Sequence, residues 1–108
     1  MKLIIAIINT SDAAVLSTAL TEAKFGVTKL ATTGGFLKQG NTTLLMGVDD
    51  ERVDEALSLV KKYSGVRTEM QPIPGVSAYP SVMAPAAIET TVGGAIVFVT
   101  DVERFEKL

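Results

Sequence analysis

The sequence predicts an α+β sandwich in which one sheet carries two helices on a single face. Two observations predict it. The chain opens on the apolar run Leu3-Ile4-Ile5-Ala6-Ile7-Ile8, which has no polar alternation and reads as a central strand buried on both faces. Two segments with apolar residues at helical spacing follow, each flanked by strand-forming residues.

The elements follow in order. After the first strand, Thr10, Ser11 and Asp12 supply N-cap chemistry. Val15, Leu16, Ala19, Leu20 and Ala23 then form one apolar stripe through about residue 24. Gly26 fits the residue that ends this helix in a left-handed conformation. Val27–Thr32 reads as the second strand and Thr42–Val48 as the third. Asp49 or Asp50 caps a second helix with the core stripe Val53, Ala56, Leu57 and Val60. Lys61 and Lys62 stand in its last turn, where the helix dipole favours cations. A strand at Val66–Ile73, a long loop from Pro74 to Pro85, and strands at Ile88–Val92 and Ala95–Val99 complete the chain. Strand–helix–strand repeated twice, with both helices on one face, is a ferredoxin-like βαββαβ sandwich. Its other sheet face needs a cover, which oligomerisation supplies.

At 108 residues, 47% of them apolar, the chain is expected to form a single domain, 1–108. A net charge of −2 argues against a nucleic-acid partner, which wants a basic face. The absence of cysteine excludes disulfides, zinc–thiolate sites and thiol nucleophiles; the absence of histidine removes the commonest general base and metal ligand. The opening apolar run is too short for a membrane span or the core of a signal peptide, so a soluble, cytoplasmic protein without membrane insertion is expected.

No catalytic constellation or metal site emerges. The carboxylates of Asp49–Glu55 and of Asp101, Glu103 and Glu106 read as helix caps and solvated surface, and no serine or threonine has a base at motif spacing. Neither a Walker loop nor a Gly-x-Gly-x-x-Gly turn occurs. Arg52 lies far in sequence from any glycine-rich loop, which excludes an Arg/Asn phosphatase. The expectation is therefore a protein that is not an enzyme and holds no cofactor.

The segment from Lys29 to Gly47 carries the most information. It places Gly34, Gly35 and Gly40 between two strands but keeps Phe36 and Leu37 among them, where an exposed turn has no use for large apolar groups. Glycines let a backbone approach a ligand and turn N–H groups toward an anion, and an aromatic ring offers a base a stacking face. Spacing alone leaves other readings open. The glycines suit a hairpin tip, and Phe36 and Leu37 a core or interface patch. Asn41 suits a left-handed turn, Thr28 an ordinary strand position, Gly47 a bulge, and Gly93-Gly94 a plain turn.

KLATTGGFLKQGNTT, followed by Gly47, Asp50-Glu51-Arg52-Val53-Asp54 and Val92-Gly93-Gly94-Ala95-Ile96-Val97-Phe98-Val99, resembles the PII-like cyclic di-AMP receptor proteins of Gram-positive bacteria. The likeness runs from the opening strand to Phe105. It implies a PII-like homotrimer that binds cyclic di-AMP between subunits and acts in signal transduction on a protein target that the sequence does not name. It also implies Thr28, Gly35, Phe36, Leu37, Asn41 and Gly47 as ligand-binding residues. The Phe-Leu pair packs on adenine and the Asn supplies directional hydrogen bonds. The chain departs from the family where Phe25 is followed by Gly26 rather than the usual Arg, and in its wording from Pro74 to Pro85. The Phe25-Gly26 junction keeps a second reading in play: a trimeric interaction protein that regulates an enzyme or transporter through its loops without nucleotide.

Overall fold

The computed structural model describes residues 1–30, 40–72 and 87–108. Its elements are β1 (Lys2–Asn9), α1 (Thr10–Glu22), β2 (Gly26–Leu30), β3 (Asn41–Val48), a 3₁₀ turn (Asp50–Arg52), α2 (Val53–Ser64), β4 (Arg67–Pro72), β5 (Ala87–Val92) and β6 (Ala95–Asp101). The order is that of a small α+β fold of the β-α-β-β-α-β kind, with a strand pair added between α2 and β6.

The four-stranded sheet runs β2-β3-β1-β6, antiparallel throughout. β1 lies inside it, as a strand apolar on both faces must. Ile4, Ala6 and Ile8 of β1, with Leu44, Met46 and Val48 of β3, point to the helix layer and meet Ala13, Leu16 and Leu20 of α1 and Ala56 and Val60 of α2. Each fully buried Leu or Ile contributes about 1.5–3 kcal/mol over an exposed one.

The opposite face alternates out of that core. Leu3, Ile5 and Ile7 of β1, Leu45 of β3, and Ile96 and Phe98 of β6 share it by register, and no helix covers it among the described residues. Ile96 and Phe98 are 41% and 45% exposed.

Three expectations need correction. The strand after α2 does not join the main sheet. β4 pairs with β5 in a separate two-stranded arm, and β6 takes the place beside β1. The composition explains this: β4 begins Arg67-Thr68-Glu69, with little to bury, whereas β6 brings Ala95-Ile96-Val97-Phe98-Val99 to an apolar partner. Gly26 does not end α1; it begins β2, opposite Gly47. The left-handed residue is Lys24, at φ 70°. Its N–H donates to Thr21 O and that of Phe25 to Leu20 O, with Phe25 and Leu20 both in the core, which together make a Schellman closure. Val15, assigned to the core stripe, is 55% exposed instead.

Candidate functional site

The expected ligand residues divide into three sets. Gly35, Phe36 and Leu37 lie outside the described residues. Thr28 and Gly47 come together at one end of the helix-free sheet face, and Asn41 stands at the other end of the same face. Because β3 advances about 3.4 Å per residue, the six residues from Asn41 to Gly47 separate the two ends by roughly 20 Å. The expected residues among those described therefore fall at two places on this face, a Thr28–Gly47 end and an Asn41 end.

At the Thr28–Gly47 end lies a depression of about 590 Å³ lined by Gly26, Thr28, Leu45 and Gly47 from the sheet and by Met1 and Phe105. Gly26 and Gly47 are register partners, so two strands present a row without Cβ atoms. A Cβ at Gly47 would meet nothing closer than the Met1 side chain at 4.0 Å, and one at Gly26 nothing within 4 Å; neither residue has positive φ. Among the described residues, nothing demands glycine at either place. The strand continues regularly through Gly47, which rules out a bulge there. Phe105 was missed as a lining residue. Its signal was an aromatic group in an otherwise charged tail, 66% exposed in the structure. No Lys or Arg stands among the described lining residues of this depression. The nearby Lys2 is paired with Asp101, and that hydrogen bond raises its pKa.

At the Asn41 end a hollow of about 400 Å³ lies between the sheet end, with Asn9, Asn41 and Ile96, and the root of the β4–β5 arm, with Val66, Gly93 and Gly94. Asn41 is a regular β3 residue opposite Asn9; the left-handed residue of that turn is Gly40, at φ 93°. Gly93 and Gly94 adopt φ 81° and 111° where the chain passes from arm to sheet, and a Cβ on Gly93 would collide with the Gly65 carbonyl oxygen. These two glycines are required by the fold, as a plain turn requires them.

Arg67 fixes the arm root. Its Nη2 donates to Asp12 Oδ1 at 2.6 Å and its Nη1 to Asp12 Oδ2 at 3.3 Å, while Nε donates to Glu69 Oε1 at 2.9 Å. These bonds, Asp12's first, hold the guanidinium pKa even higher than usual. Asp12, expected in N-cap chemistry, is instead buried in this ion pair. Among the described residues no cluster of metal-ligating side chains occurs, and no helix is long and apolar enough to cross a membrane.

The comparisons agree with this architecture. A crystal structure of a functionally unknown protein from Pediococcus pentosaceus ATCC 25745 is 42% identical and superposes with a TM-score of 0.79, over 99% of this chain and 96% of that one. The family described as cyclic-di-AMP receptor matches residues 1–108. The chain belongs to the cyclic-di-AMP receptor family, a family of receptors, and a nucleotide-binding role in signalling follows from that membership.

Proposed function

We propose that the protein is a cytoplasmic, trimeric PII-like sensor that binds cyclic di-AMP between subunits. Thr28 and the bare Gly26–Gly47 row of one subunit would face Gly35, Phe36, Leu37 and Asn41 of the next. The observation that carries this reading is the pair of in-register glycines on a sheet face that no described helix covers, at positions where the described residues leave room for side chains. Such a row admits the close approach of a flat ring to the backbone. The roughly 20 Å between the Gly47 and Asn41 ends supports a site completed by a second subunit. The apolar strip of Leu3, Ile5, Leu45, Ile96 and Phe98 supports the assembly that would bring the subunits together.

One observation favours the trimeric interaction protein that works without nucleotide. The depression beside Thr28 has no cationic side chain in its described lining to meet a phosphate. Calorimetric titration against cyclic di-AMP, ATP, AMP and cyclic di-GMP decides between the two. Saturable binding with cyclic di-AMP tightest is expected. Absence of heat with all four, from a folded protein, would establish the interaction reading.

A further inference from the structure

We propose that Arg67 and Asp12 are positioning residues for the Asn41 end of the candidate site, acting through the root of the β4–β5 arm. The inference rests on the sensor reading above and adds to it two residues that touch no ligand.

Asp12 is 6% exposed in the first turn of α1, and a carboxylate taken from water needs a partner. It finds a bidentate one in Arg67, the first residue of β4, 55 positions away in sequence. The same guanidinium donates to Gly65 O at 3.2 Å, so one side chain ties the end of α2, the start of the arm and the start of α1 together. Gly93 packs against that carbonyl and against Arg67 Nη1 so closely that no side chain fits. Gly94 N–H donates to Ser64 O at 2.8 Å. Val66, Gly93 and Gly94 are the wall of the hollow that faces Asn9 and Asn41. The sheet wall is held by the β1–β3 ladder. Among the described residues the arm pairs with no strand of the main sheet; its root continues from α2 through Gly65-Val66 and into β6 through Gly93-Gly94, and the Gly94 bond ties these two connections to each other while the Arg67 fork ties them to α1. Arg67 engaged with Asp12 thus sets how the arm root stands against the Asn9–Asn41 end of the sheet. Lysine has a single ammonium and cannot reproduce the fork.

The test uses the full chain with cyclic di-AMP as probe. Arg67→Lys and Asp12→Asn are measured for affinity by calorimetry and for amide hydrogen exchange at Gly93–Ala95 without ligand. Both variants are expected to lose about tenfold in affinity, within the range of a coupling between separate sites. Both should also exchange faster at Gly94, with protection regained on adding cyclic di-AMP. Asn41→Ala should weaken binding without loosening Gly94, and its combination with Arg67→Lys should cost less than the sum of the two. If Asp12→Asn does not fold, Arg67→Lys carries the test alone. Wild-type affinity in the latch variants, unchanged exchange at Gly94, or strictly additive effects with Asn41→Ala would each overturn the positioning role. A wild-type chain that binds no nucleotide would remove the sensor reading itself and this role with it, an outcome distinct from those three.

Discussion

The sheet face that no described helix covers makes assembly the most direct target for perturbation. Ile96 lies on that face beside Ile7 and is 41% exposed in the single chain. Full burial of isoleucine is worth about 1.5–3 kcal/mol, so covering the exposed part in a complex is worth about 1 kcal/mol per subunit. For Ile96→Ala that is about 3 kcal/mol per trimer. Trimer dissociation scales with the square of subunit concentration, so about two decades in the equilibrium constant become about one decade in midpoint concentration. Ile96→Asp goes further, because each buried carboxylate without a partner costs several kcal/mol, and the trimer should be absent at micromolar concentration. Sedimentation equilibrium over a dilution series, with circular dichroism to verify folding, reads both effects. Wild-type assembly retained in Ile96→Asp would show that this face is not the interface, and a monomeric wild type would refute the trimer.

Other consequences are testable singly. Gly26→Arg should fold, since nothing stands within 4 Å of its Cβ position, and should raise cyclic di-AMP affinity by about a decade, the worth of one charge-assisted contact; calorimetry showing no gain would refute the deficit at this position. Lys24→Gly should stabilise the chain by about 1 kcal/mol by relieving a left-handed non-glycine residue, read as a higher urea midpoint at unchanged slope. Asn41→Ala should cost about 1 kcal/mol of nucleotide binding, roughly a fivefold rise in Kd measured by calorimetry.

What was legible in the sequence was what depends on local pattern. The double-sided apolar run of β1, the stripe of Ala56 and Val60 in α2, and the end of β3 at Val48 all came through because each is set by residues a few positions apart. Strand partnership is non-local, and there the reading went astray. Val66–Ile73 has enough strand propensity to pass for the fourth strand, but only the comparison of two candidates beside β1 shows that β6 fills that place. A lysine in the left-handed region leaves no mark on the sequence, whereas Gly26 two residues later is the residue type that usually takes that place. At the candidate site, Thr28 and Gly47 are neighbours because an antiparallel register puts them diagonally across β2 and β3. Phe105 was not foreseen, since its place at the rim depends on where the tail turns after β6.

Gly47 can tell a ligand from a neighbouring subunit as the reason for the bare row. Glycine within a strand costs about 0.5–1 kcal/mol relative to alanine. Among the described residues the fold recovers none of it, since a Cβ there would meet only the Met1 side chain at 4.0 Å. A ligand or a neighbouring subunit is therefore expected to supply the compensating interaction. Gly47→Ala should raise the stability of the unliganded protein by about that amount and keep the assembly intact. Its methyl group would stand between the backbone and a flat ring, so cyclic di-AMP affinity should fall by about a decade, at the scale of a 1–3 kcal/mol overpacking penalty. Thermal denaturation with and without cyclic di-AMP shows both effects in one experiment, because the ligand-induced rise in melting temperature shrinks as Kd grows. A variant that loses the trimer would assign the bare row to a subunit contact. A variant that is more stable and binds as tightly as wild type would leave the two glycines without a role in recognition.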